Sequence, residues 1–286
     1  MNILSVQSWV AYGHVGNASA AFPLQRLGAE VWAVNTVQFS NHPGYGSWTG
    51  QVFGAEEVAA VIRGIEQRGA FGACDAVLSG YMGSAEIGQA ILGAVRRVRR
   101  ANPRALYCCD PVIGDDAPGV YVRPGVADLI RDHAVGEADI LTPNAFELSE
   151  LTGSGVATLA EAKQAVATLQ ARMRPDGPRS VLLTSLRTEE TPPACIDLLA
   201  AEDGAFHLLR TPRLRTEVNG AGDAVAALFL YHQLRTGDAA AALEAAGSAL
   251  WGILRRTAEA GARELLIVAA QEELVHPSAW FSSQLC

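Results

Sequence analysis

Six short apolar, β-rich runs alternate with helix-length segments along the first two thirds of the chain, and this alternation limits the possible folds more than any other feature. The runs are "NILSVQS" (2–8), "EVWAVNTVQF" (30–39), "AVLSGY" (76–81), "ALYCCDPV" (105–112), "ADILTPN" (138–144) and "SVLLTSL" (180–186). Helical patterns lie near 16–28, 55–69, 84–101, 123–134, 144–152 and 158–173. The alternation predicts an α/β fold: a mostly parallel central sheet covered by helices on both faces. The pattern then changes. "ACIDLLAAEDGAFHLLRTPRL" (194–214) reads as an antiparallel hairpin around a "DG" turn. Two alanine-rich helices follow, near 221–235 and 238–258, and "ELLIVAA" (264–270) is expected to be a last strand. No linker or composition break interrupts the 286 residues, so a single domain over 1–286 is expected.

Such a sheet needs a large core, and 49% hydrophobic residues supply it. A net charge of −8 argues against a nucleic-acid binder. The one basic cluster, "RRVRRANPR" (96–104), has two readings: a helix end whose carbonyls favour cations, or an anionic-partner patch. Five cysteines with no CxxC pair fit neither a disulfide framework nor a zinc site, so a reduced, cytoplasmic protein is expected. No secretory signal pattern opens the chain, and no apolar run reaches membrane-spanning length. Lys163 is the sole lysine and sits in an amphipathic helical pattern, which excludes a Walker-type phosphate loop and disfavours Schiff-base chemistry.

In open α/β sheets ligands bind beyond the carboxyl ends of the strands. That rule gathers "QSWVAYGHVGN", "QFSNHPGYGSW", "SGYMGS", "CDPVIGDD", "TPNAFE" and "TSLR" at one rim. To these is added "NGAGD" (219–223), a glycine turn that runs into one carboxylate and then a helix apolar nearly all round. Such a helix is buried, and its first amides need a partner, for which an anion is suited. Asp223 therefore reads either as a helix N-cap or as the base of an enzyme. Asp110 and Glu147 follow strands of the same sheet and together could hold Mg²⁺, directly or through water. The competing reading is a turn aspartate beside Pro111 and a first-turn glutamate of a helix. No Ser-His-Asp spacing is readable, and "GYMGS" is not a nucleophile elbow.

The stretches "VQSWVAYGHVGN", "FPLQRLGAEVWAVNTVQFSNH", "LSGYMGS", "CDPVIGD", "TPNAFE" and "NGAGD", in this order and from residue 3 to beyond 230, resemble the pyridoxal kinases of the ribokinase-like superfamily. The resemblance implies a ribokinase-like fold, ATP with Mg²⁺, often a supporting K⁺, and a homodimer. It implies phosphorylation of the 5′-hydroxymethyl group of pyridoxal, pyridoxine or pyridoxamine in coenzyme salvage. By the same resemblance Asp223 is the catalytic base, and the backbone of Gly220, Ala221 and Gly222 is the anion hole. Asp110 and Glu147 organise Mg²⁺ and phosphate. Asp115, Thr142, Thr184 and Ser185 fall at cation- and nucleotide-contacting positions. Tyr121, Thr211 and Leu214 fall in the nucleotide cover. Ser8 and Tyr81 match groups that touch the pyridine ring, and Val15, Val37 and Phe39 match its apolar lining.

The chain departs from the family pattern at three positions. Pro43 stands where the family has a threonine that hydrogen-bonds the substrate, so one bond is missing, worth about 0.5–1.5 kcal/mol. Thr184 stands where some bacterial members carry lysine, and Asn219 where an apolar residue is common. Two other kinds of function compete with this reading. A hydroxymethylpyrimidine kinase, or a sugar or nucleoside kinase, would share the fold; many of the former carry a cysteine at the position of Asp223. A non-catalytic vitamin B6 binder or sensor would need no base, anion hole or metal motif.

Overall fold

The computed structural model describes every residue from Met1 to Cys286. The strands are β1 (Asn2–Val10), β2 (Glu30–Phe39), β3 (Gly50–Val52), β4 (Ala76–Ser79), β5 (Leu106–Cys109), β6 (Gly114–Asp115), β7 (Gly119–Val120), β8 (Ile140–Leu141), β9 (Ser180–Leu186), β10 (Cys195–Glu202), β11 (Ala205–Pro212) and β12 (Gln284–Leu285). Ten of them form one sheet in the order β12-β11-β10-β9-β8-β5-β4-β1-β2-β3, and β6 with β7 makes a separate two-stranded ribbon. The centre, from β2 to β9, pairs in parallel. Both ends pair antiparallel. The chain runs from β1 outward to β2 and then returns to β4 on the other side of β1, so the crevice at the β1–β4 carboxyl ends is a topological switch point.

The helices are α1 (Asn17–Arg26), α2 (Ala55–Gln67), α3 (Ala85–Ala101), α4 (Val126–Leu129), α5 (Val135–Glu137), α6 (Ala145–Thr152), α7 (Leu159–Gln170), α8 (Ala221–Thr236), α9 (Ala239–Glu259) and α10 (Glu272–Val275). Alternate residues of each central strand enter different cores. Leu4, Val77, Tyr107, Leu141 and Val181 pack with α2, α3, α6 and α7 on one face. Ile3, Leu78, Cys108, Ile140 and Leu182 pack with α1, α8 and α9 on the other. Period-2 alternation with both faces apolar is why these strands read as continuous hydrophobic runs. It also sends the adjacent Cys108 and Cys109 to opposite faces, both buried and free.

In helix α8 every residue from Ala224 to Tyr231 is buried, as its apolar circumference predicts. The hairpin β10–β11 turns at Asp203 and Gly204, both at positive φ, the signature of a type I′ turn. The cations of the 96–104 cluster largely serve the fold. Arg96 and Arg99 pair with Glu137, Arg97 with Glu66, and Arg99 also with Asp139. This favours the helix-end reading. No helix is long and apolar enough to cross a membrane.

Two expectations fail. The segment 264–270 is a series of turns, not a strand. Leu265 and Ile267 alternate inward, but they do so to pack beside α9, and the Leu266 amide donates to Thr257 Oγ1 rather than to a ladder. The outermost place beside β11 goes instead to β12. The helix expected over 123–134 begins later, after Gly125 in a left-handed conformation, and its middle, Ile130–Ala134, is a π turn between α4 and α5.

Candidate active site

Gly220, not Asp223, is the N-cap of α8. Its φ of 87° is left-handed, and no side chain caps the helix. That sets aside the capping reading of Asp223, which lies in the first turn. The uncapped amides of Ala221 and Gly222 are free to meet an anion. Loop 11–16 presses on this turn. A Cβ at Gly220 would fall 1.8 Å from the His14 carbonyl oxygen, and a Cβ at Gly16 would fall 2.2 Å from that of Ser8. Ser19 Oγ donates to the Gly220 carbonyl at 2.7 Å. Burial pushes the Asp223 carboxyl above the usual range, and the amides of Gly16 and of Asp223 itself oppose this.

Asp110 follows β5 and is buried; it accepts a bond from Thr142 Oγ1 at 3.0 Å at the end of β8. Burial raises its pKa well above normal, and the charges of Glu147 and Asp223 raise it further. Glu147 completes a capping box on α6, accepting the Asn144 amide at 2.9 Å, and its other oxygen accepts the Ile113 amide at 3.0 Å. The first-turn reading of Glu147 is thus correct, and it does not remove the residue from the rim. Burial lifts its pKa to about 7 against the pull of these amides. None of these three carboxylates forms an ion pair with a lysine or arginine. No preformed group of three metal-ligating side chains exists. The donor set fits Mg²⁺ in its usual phosphate-borne form, with one or two carboxylates and the remaining positions filled by water and phosphate.

The ribbon β6–β7 overhangs these groups. Asn144 Nδ2 donates to the Gly114 carbonyl at 2.9 Å, and Phe146 packs so closely that a Cβ at Gly114 would meet its ring. Tyr121 follows the ribbon. It is half exposed, and partial burial with the charges of Glu147, Asp110, Asp223 and Asp115 pushes its hydroxyl up.

Beside α8 lies a cleft of about 310 Å³. Thr184 and Ser185 at the end of β9, Thr211 in β11, Leu214 after it and Gly222 in α8 all line it. Ser185 holds a positive φ of 53°, a strained value for a non-glycine residue. The sequence reading missed the apolar wall: Val225 of α8 and Leu250, Trp251 and Leu254 of α9. Trp251 is fixed by donating Nε1–H to the Pro212 carbonyl at 3.0 Å.

At the switch point, Val10, Val37 and Phe39 form a small separate apolar cluster joined by Val15 and Tyr81. Trp48 lies against Phe39, with ring centroids 4.0 Å apart. Ser8 is buried, and the Tyr81 carbonyl accepts from Thr36 Oγ1 at 2.8 Å. Pro43 is exposed and opens a single 3-10 turn, Pro43–Tyr45, capped by His42 Nδ1, which accepts the Gly44 amide. A proline suits that first position. Asn219 is exposed close to this turn. The sequence also gave no sign of Glu264, which accepts a hydrogen bond from Tyr45 Oη at 2.5 Å.

The rim therefore has an apolar cluster at one end, a cleft at the other, and an uncapped helix start with three carboxylates that lack a cation partner. A family model described as phosphomethylpyrimidine kinase matches residues 55–267. Pyridoxal kinase PdxY of Granulibacter bethesdensis is 63% identical over 286 residues, covering all of both chains. Pyridoxal kinase PdxY of Deinococcus radiodurans is 54% identical over 99% of this chain and 96% of its own. Among solved structures, pyridoxal kinase from Leishmania donovani in complex with ADP and pyridoxamine superimposes with a TM-score of 0.92 at 28% identity, covering 100% of this chain and 99% of that one. Matches of this extent, over a rim built in this way, make the chain a member of the pyridoxal kinase family, with a ribokinase-like fold.

Proposed function

We propose that the protein transfers the γ-phosphoryl group of ATP to the 5′-hydroxymethyl group of pyridoxal, a group that pyridoxine and pyridoxamine share, and so serves coenzyme salvage. One observation carries this reading: a partly buried carboxylate, Asp223, stands in the first turn of a helix whose opening amides no side chain caps. Asp223 takes the hydroxyl proton as the oxygen attacks the γ-phosphorus and the bond to the ADP oxygen breaks. A raised pKa suits a base that must receive a proton. The amides of Gly220, Ala221 and Gly222 stabilise charge on the transferred group. Mg²⁺ held by Asp110 and Glu147, with K⁺ near Thr142 and Asp115, would supply positive charge along the triphosphate.

ATP lies in the 310 Å³ cleft against Thr184, Ser185, Thr211 and Leu214, with Tyr121 above its phosphates. The ring lies among Ser8, Val15, Val37, Phe39 and Tyr81, beside Pro43. The whole chain acts as one kinase domain, in a cytoplasmic homodimer.

The test is incubation with Mg²⁺–ATP and each of pyridoxal, pyridoxine, pyridoxamine and hydroxymethylpyrimidine, with chromatographic quantification of the phosphorylated products. Product from pyridoxal is expected, and the ranking of the three vitamers reads the effect of Pro43. A second reading, hydroxymethylpyrimidine phosphorylation, is favoured by the description of the matching family model. Product from the pyrimidine alone would establish it. Pyridoxal binding without any product would leave a sensor.

A further inference from the structure

We infer that Glu264 is a positioning residue that fastens the loops following β1 and β2 over the vitamer end of the site. The inference rests on the proposed function for the identity of the substrate, but not for the fastening itself. Glu264 is held from behind: its neighbours Leu265 and Ile267 are fully buried, and the Leu266 amide is tied to Thr257 of α9. Its carboxylate faces both loops. Oε1 accepts the Tyr45 hydroxyl at 2.5 Å. Oε2 lies where a Cβ at Gly13 would be, 2.0 Å from that position.

The contact is reinforced on each side. The Arg263 guanidinium lies 4.9 Å from the centre of the Tyr45 ring, and Tyr12 meets the same ring edge-on at 6.2 Å. Each fastened loop leads directly to the site. Beyond Gly13, the His14 carbonyl abuts Gly220, Val15 joins the apolar pocket, and the Gly16 amide meets Asp223. The turn that ends at Tyr45 begins with Pro43 and continues to Trp48, which covers Phe39. A carboxylate acceptor makes this a charge-assisted bond, roughly twice as strong as a neutral one.

The experiment uses Glu264→Ala, Glu264→Gln and Tyr45→Phe. Amide hydrogen exchange is measured for residues 12–16 and 41–48, together with KM for pyridoxal, KM for ATP, and kcat. Glu264→Ala is expected to speed exchange in both loops and to raise KM for pyridoxal about tenfold while KM for ATP stays within about twofold. Tyr45→Phe should do nearly the same, the Tyr45→Phe/Glu264→Ala double variant should add little, and Glu264→Gln, which keeps an acceptor oxygen, should recover part of the loss. Unchanged exchange in either loop overturns the inference. So does an equal rise in both KM values, or faster exchange with an unaltered KM for pyridoxal. If the wild-type protein phosphorylates no vitamer, the functional reading fails, and the exchange measurement still decides whether Glu264 fastens the loops.

Discussion

Two rims of the same sheet carry buried carboxylates, and they differ in who neutralises them. At the amino end of β8, fully buried Asp139 accepts Arg99 Nη2 at 2.6 Å, Arg174 Nε at 2.7 Å and the Tyr107 amide at 2.7 Å. At the carboxyl ends of β5 and β8, Asp110, Glu147 and Asp223 have hydroxyl and amide partners but no cation, and each is pushed towards its neutral form. A buried charge needs compensation, and removing one partner from a buried pair costs far more than the pair gains. At Asp139 the chain supplies that compensation permanently. At the other rim it leaves the compensation to whatever binds, which suits groups that meet a metal-bound triphosphate and accept a proton. The same chemical group is paired in one place and left without a cation in the other, and the difference is two arginines.

Changing a carboxylate to its amide should separate the two rims. Asp223→Asn is expected to lower kcat by roughly 10²–10⁴-fold with no loss of melting temperature, measured by product formation and calorimetry. Near-normal turnover would remove Asp223 from the role of base. Asp139→Asn should do the reverse, lowering stability by about 3–5 kcal/mol in a denaturant titration while the folded fraction keeps its kcat. A partly buried histidine sharpens the contrast. His232 in α8 is neither paired with an acid nor near the rim, and burial, with the Arg235 charge, lowers its pKa to about 4. Its stability contribution is present above the unfolded value near 6.5 and is lost as pH falls through about 4. His232→Gln should therefore flatten the fall in melting temperature between pH 7 and 4, by on the order of 2 kcal/mol. The smallest effect belongs to Asp110→Asn. Without Mg²⁺ it should raise the melting temperature by about 2–4 °C, on the order of 1 kcal/mol, because it removes an uncompensated charge and keeps an acceptor for Thr142. A lowered melting temperature would mean that Asp110 is held like Asp139.

The long strands were legible from their length and β-branched, apolar composition; β9 is buried nearly throughout, whereas β2 is partly exposed. "EVWAVNTVQF" and "SVLLTSL" occupy the residues their composition indicates. Strands β3, β6, β7 and β12 have two or three residues each, too few for any periodicity. "ELLIVAA" misled because inward alternation reports burial, and burial against a helix looks the same as burial in a sheet. At the site, the rule that ligands lie beyond strand ends brought Asp110, Thr142, Glu147 and Thr184 into view, and the helix-start argument added Asp223. Leu250, Trp251 and Leu254 stayed hidden, since an apolar cleft wall on a helix cannot be told from core until the empty side is seen. Glu264 stayed hidden for a different reason: its partners are more than 200 residues away in sequence.

The crowding of loop 11–16 against the start of α8 bears on how a saturation-mutagenesis map of this gene would look. Gly16 and Gly220 have no side chain to offer, yet any replacement must displace a carbonyl group of the neighbouring segment and must also hold a left-handed backbone. Their profiles should be as intolerant as that of Asp223 itself. A reader of such a map who looked only for functional side chains would count three intolerant positions and find a reacting side chain at one.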